Sequence, residues 1–135
     1  MFSFRNLTKI FFISFSCFSA GVPVVANEFV SHSRCVSLDK RLVYRCTVEI
    51  KYGGKAFNNA TVQVGATMPS MPMAHNVRPV IATPVENDEG EYYFELALEM
   101  FGVWELQFDI LEPLRDRLTN QIDFRKNLLV LETTK

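Results

Sequence analysis

Leu42-Val43-Tyr44-Arg45-Cys46-Thr47-Val48-Glu49-Ile50-Lys51-Tyr52 decides the fold class. Leu42, Tyr44, Cys46, Val48 and Ile50 fall on one parity. Arg45, Thr47, Glu49 and Lys51 fall on the other. Apolar residues at every second position form one dry face only if the backbone is extended, so the stretch reads as a half-buried strand. Gly53-Gly54 ends it in a turn.

The same period recurs on both sides. Val62, Val64 and Ala66 oppose Thr61 and Gln63 over residues 60–67. Tyr92, Phe94, Leu96 and Leu98 oppose Tyr93, Glu95 and Glu99. Trp104, Leu106, Phe108 and Ile110 oppose Glu105, Gln107 and Asp109. Residues 34–38 predict a first strand, preceded by a loose lead-in over 27–33. Residues 77–85 are β-like, but Pro79 and Pro84 restrict them to an edge strand or two short pieces. Residues 86–90 form a polar turn. Residues 112–120 read as a polar connection with room for one helical turn. Residues 122–131 predict a last strand with apolar groups on both sides, followed by a frayed end. The sum is an all-β protein: an immunoglobulin-like β-sandwich of about seven antiparallel strands.

The chain has 135 residues, the size of one domain. Arg5 and Lys9 precede an apolar run over 10–25, and Val24-Val25-Ala26 offers a cleavage site. This is the pattern of a secretory signal peptide. The expected organisation is a cleaved signal over residues 1–26 and a single sandwich domain over 27–135, in the periplasm or secreted. A retained anchor is the alternative. Removing Arg5 and Lys9 from the 14 basic residues leaves 12 against 15 acidic ones, a net charge of about −3. No basic cluster suggests nucleic acid. No later run is long enough for sustained membrane insertion as a helix.

Cys35 and Cys46 remain in the expected mature chain. If Leu38 faces Val43 across a hairpin, Cys35 faces Cys46. An exported protein meets oxidising conditions, so the pair predicts a disulfide.

Between the third and fourth predicted strands runs Thr67-Met68-Pro69-Ser70-Met71-Pro72-Met73-Ala74-His75-Asn76-Val77-Arg78-Pro79. Neutral thioethers select copper(I) over hard cations, and imidazole binds copper in both common oxidation states. If the stretch is extended, Met71, Met73 and His75 share a side. They form the candidate ligand set, with Met68 as a fourth member that needs a turn to join. The competing readings are methionines that cap the end of the core and a surface for an exported or membrane-bound protein partner. Dimerisation through the last strand is a further option. Trp104 is expected in the core, Met100 in the core before any ligand role, and His32 on the surface. No nucleophile elbow or base–nucleophile pair is visible, so an enzyme is not expected.

Five pieces occur in order: Met68-Pro69-Ser70-Met71, Met73-Ala74-His75, Thr83-Pro84, Gly90-Glu91-Tyr92-Tyr93 and Met100-Phe101-Gly102-Val103-Trp104-Glu105-Leu106. Together they resemble the YtkA-like and FixH-like family of small exported or membrane-tethered domains, over about residues 42–110. The family is similar to copper-handling sandwiches, and some members accompany assembly of copper-containing respiratory oxidases. The resemblance implies an immunoglobulin-like sandwich and a copper-binding or copper-delivery role. The chain departs from the family in having one loop histidine and in its cysteine pair, which the family pattern does not require.

Overall fold

A computed structural model describes residues 27–125 and, for the backbone, 130–134. The expected signal peptide lies outside the described residues. The strands are β1 (Phe29–Ser37), β2 (Val43–Tyr52), β3 (Lys55–Ala56), β4 (Thr61–Thr67), β5 (Asn76–Ile81), β6 (Thr83–Pro84), β7 (Glu91–Ala97), β8 (Gly102–Glu112), β9 (Asp116–Phe124) and β10 (Val130–Thr134). They form two sheets, β10-β1-β2-β7-β6 with β3 beside β2, and β5-β4-β8-β9. Every pairing is antiparallel. With β3 and β10 set aside, the remaining strands can be lettered A, B, C, C′, D, E, F and G. The sheets then read A-B-E-D and C′-C-F-G, the immunoglobulin order.

The dry faces found by period meet between the sheets. Tyr44, Cys46, Val48 and Ile50 of β2 are buried, as are Tyr92, Phe94 and Leu96 of β7. They pack on Val62, Val64 and Ala66 of β4 and on Trp104, Leu106, Phe108 and Ile110 of β8. Rings cross the gap edge to face, Phe94 on Phe108 at 5.8 Å and Tyr44 on Phe124 at 4.7 Å between centroids. That geometry suits the aromatic quadrupole as well as the buried area.

Prolines act as expected over residues 76–84. The segment splits at the buried Ala82, whose N–H donates to the Val62 carbonyl at 2.9 Å. β5 is the edge of one sheet and β6 the edge of the other. Pro79 and Pro84 therefore sit where a missing donor costs little.

Three sequence-based expectations are corrected. The lead-in over 27–33 is strand from Phe29 onward, since β1 starts there and pairs with β2 along its whole length. The polar connection over 112–120 gives way to β9 from Asp116, paired with β8 from Ile110 back to Gly102. The chain end pairs with β1 from Val130 to Thr134 rather than fraying, so the single last strand over 122–131 is two strands in different sheets. The first two corrections share one cause. Ser31, Ser33 and Asn120 point inward and are buried. Ser31 Oγ donates to Asn120 Oδ1 at 3.2 Å, and Asn120 Nδ2 donates to Ser33 Oγ at 2.7 Å. A buried polar group is tolerated when it is hydrogen-bonded, and this trio joins β1 of one sheet to β9 of the other.

Cys35 and Cys46 are direct partners in the β1–β2 register and form a disulfide. Both are fully buried. Replacing both by alanine is expected to lower the unfolding free energy by about 2–3 kcal/mol, mainly through the larger unfolded ensemble. Urea denaturation of the two proteins measures it. A difference below about 1 kcal/mol would mean that the short β1–β2 loop is already closed in the unfolded chain.

Candidate functional site

Three loops share one end of the sandwich. They are residues 38–42 between β1 and β2, 68–75 between β4 and β5, and 98–101 between β7 and β8. Leu98 N–H donates to the Leu42 carbonyl at 2.8 Å. The Arg41 guanidinium lies over the Phe101 ring, 5.8 Å from its centroid.

The methionine loop is coiled, which corrects the extended geometry used to assign sides from parity. Met71 N–H donates to the Met68 carbonyl at 2.9 Å. Ala74 and His75 N–H both donate to the Met71 carbonyl, at 3.1 and 3.3 Å. The base is closed by Met68 N–H on the His75 carbonyl at 3.3 Å. Successive turn bonds of this kind curl the chain, and strand alternation no longer decides which side chains meet.

The four predicted ligands divide. Met68 is 2% exposed and belongs to the core. Its methyl lies beside Gly102, where a Cβ would come within 3.0 Å of Met68 Cε. Gly102 has φ 141°, a region side chains rarely enter. Its bare backbone leaves room for Met68 to pass beneath the start of β8. Met71 and Met73 face outward, at 39% and 94% exposure. The His75 side chain is 23% exposed, and its Nδ1 pairs with Glu99 Oε2 from the β7–β8 turn.

Trp104 is fully buried, as expected, but it also supports this end. Its ring meets His75 at 6.4 Å between centroids, tilted by 63°. Its Nε1–H donates to the Met100 carbonyl at 3.1 Å. One core side chain thus contacts both loops. Met100 is 36% exposed rather than in the core. Every methionine after Met1 therefore lies at this end of the sandwich, three at the surface and one beneath.

Glu99 is the residue that sequence reasoning missed. It continues the polar parity of β7, and only the meeting of two loops brings it to His75. His32 lies elsewhere, on β1 opposite Glu49 of β2. Among the described residues, no group of three or more His, Cys, Asp or Glu side chains is disposed to hold a metal. A metal at the methionine end would therefore draw on thioether sulfur. A groove of about 760 Å³ lies at the opposite end, lined by residues such as Phe29, Ser31, Tyr52 and Leu118. The Ser31 hydroxyl there is committed to Asn120.

A family profile described as YtkA-like matches residues 29–109, more than half of the chain. The chain belongs to the YtkA-like family. The match runs from the first residue of β1 almost to the end of β8. It thus takes in the methionine loop, Glu99 and Trp104 of this YtkA-like domain. Neither curated proteins nor solved structures give a match to the chain.

Proposed function

We propose that this YtkA-like domain is an exported copper(I)-binding or copper-delivery accessory protein. Met71, Met73 and His75 are the donors. Met68 stays in the core and carries the loop from below. The observation that supports this most is the division of the loop, with one methionine anchored in the core and two thioethers at the surface beside a half-buried imidazole. Soft neutral sulfur stabilises copper(I) without a free thiol. That suits an oxidising compartment, and the buried Cys35–Cys46 disulfide supports such a location. Binding and release, rather than catalysis, are the work of the site.

Titration of the disulfide-intact protein with copper(I) against a chromophoric chelator tests this. Mild reducing conditions that spare the disulfide are required. One copper(I) per chain is expected. Met71→Leu, Met73→Leu and His75→Ala should each weaken binding at least about tenfold, since 1.4 kcal/mol lost from the complex is one decade. Met68→Leu, a volume-conserving change, should leave affinity nearly unchanged. Absence of a stoichiometric complex sinks the reading. Binding that survives the combined loss of Met68, Met71, Met73 and His75 sinks the site assignment.

The second reading is a protein-docking surface at the same end. Exposed Met71, Met73, Met100 and Val103 favour it, because unbranched thioethers adapt to irregular partners. Capture of an exported or membrane-bound partner, independent of copper and lost on Met71→Ser/Met73→Ser, supports this alternative.

A further inference from the structure

The β7–β8 turn carries no donor in the ligand set above, yet its carboxylate holds the only aromatic nitrogen ligand in that set. We propose that Glu99 is a positioning residue that keeps His75 in the Nδ1–H tautomer and thereby presents Nε2 to copper(I); this rests on the copper reading just given. Three observations meet at this ring. Glu99 Oε2 pairs with Nδ1 and not with Nε2. The buried Trp104 ring lies beside the imidazole, 6.4 Å between centroids and tilted by 63°. The Trp104 Nε1–H, bonded to the carbonyl of Met100, ties down the turn that carries Glu99.

An ionised carboxylate oxygen only accepts, so in this pair the donor is the imidazole Nδ1–H. Once Nδ1 carries it, the lone pair of a neutral ring is on Nε2. Imidazole ligands to metals are commonly oriented in this way by an outer carboxylate, which also makes the coordinating nitrogen more basic. Copper(I) brings one positive charge to neutral donors here. The Glu99 carboxylate balances that charge without itself coordinating.

The test combines a measurement without metal and one with it. In the metal-free, disulfide-intact protein labelled with ¹⁵N-histidine, long-range proton–nitrogen correlation shows which ring nitrogen of His75 is protonated. The pH is set where the spectrum shows a neutral ring. The wild type should give Nδ1–H. Glu99→Ala should move the population towards Nε2–H and weaken copper(I) binding about tenfold or more. Glu99→Gln keeps an acceptor oxygen and should recover part of both. A tautomer unchanged by Glu99→Ala overturns the proposal. So does a tautomer that shifts while copper(I) affinity stays the same. If the wild type takes up no copper(I), the copper reading fails and the ligand-positioning role fails with it. The metal-free spectrum then shows separately whether Glu99 governs the His75 tautomer.

Discussion

Trp104→Ala is expected to lower the unfolding free energy by about 3–5 kcal/mol. The indole is fully buried on β8 between the sheets, and no neighbouring backbone in a paired sheet can collapse into the space it leaves. For a domain of this size the midpoint of thermal unfolding should fall by roughly 15–30 °C. Trp104→Phe separates two contributions. The ring and most of the buried area remain, but the Nε1–H bond to the Met100 carbonyl is lost. Its cost should be about 1–2 kcal/mol, a smaller cavity plus one hydrogen bond. Urea denaturation of the three proteins provides the comparison. A Trp104→Ala penalty under about 1 kcal/mol would remove the indole from its assigned place in the core.

Gly90→Ala should also be severe, for a different physical reason. Gly90 is buried just before β7 at φ 75°. A Cβ there would meet the Ile50 carbonyl oxygen at 2.8 Å, Ala56 Cβ at 3.1 Å and Phe57 N at 3.1 Å. None of these is the free end of a flexible side chain, so the strand β2 or the chain after it must move. The Gly90 carbonyl also accepts from Ile50 N–H at 2.8 Å, and that bond would shift with them. Left-handed backbone costs about 1–2 kcal/mol for a residue with a side chain. Overpacking adds about 1–3 kcal/mol, so a loss of about 2–5 kcal/mol is expected. Gly54→Ala is the control. Gly54 has φ 78°, but nothing lies within 4 Å of its would-be Cβ. It should show the backbone cost alone, about 1–2 kcal/mol. Equal losses at the two positions would show that the contacts around Gly90 yield freely.

Where the inward residues were apolar, the sequence exposed the strands directly. The stretches containing Tyr44–Ile50, Val62–Ala66, Tyr92–Leu96 and Trp104–Ile110 are strands with the anticipated sides buried. Period two in these runs requires no knowledge of a partner, because a strand with one dry face must bury it against something. The cysteine pairing was legible for the same local reason, since a short hairpin sets its own register. The lead-in and the polar connection were misread because Ser31, Ser33 and Asn120 occupy inward positions. Their polarity makes sense only once each has found the others across 87 and 89 residues of chain.

The candidate site divides along the same line. Residue types alone marked residues 68–75 as rich in soft donors. Which donors reach the surface was decided by a coil of turn bonds, and by a glycine on β8 that makes room for one methionine below. The meeting of His75 with Glu99 was likewise a matter of folding, because it depends on two loops arriving at the same end of two sheets. Residue type and local period specify chemistry and facing along one strand. Contacts between distant loops follow from how the strands are ordered, and that order is set by packing of the whole core.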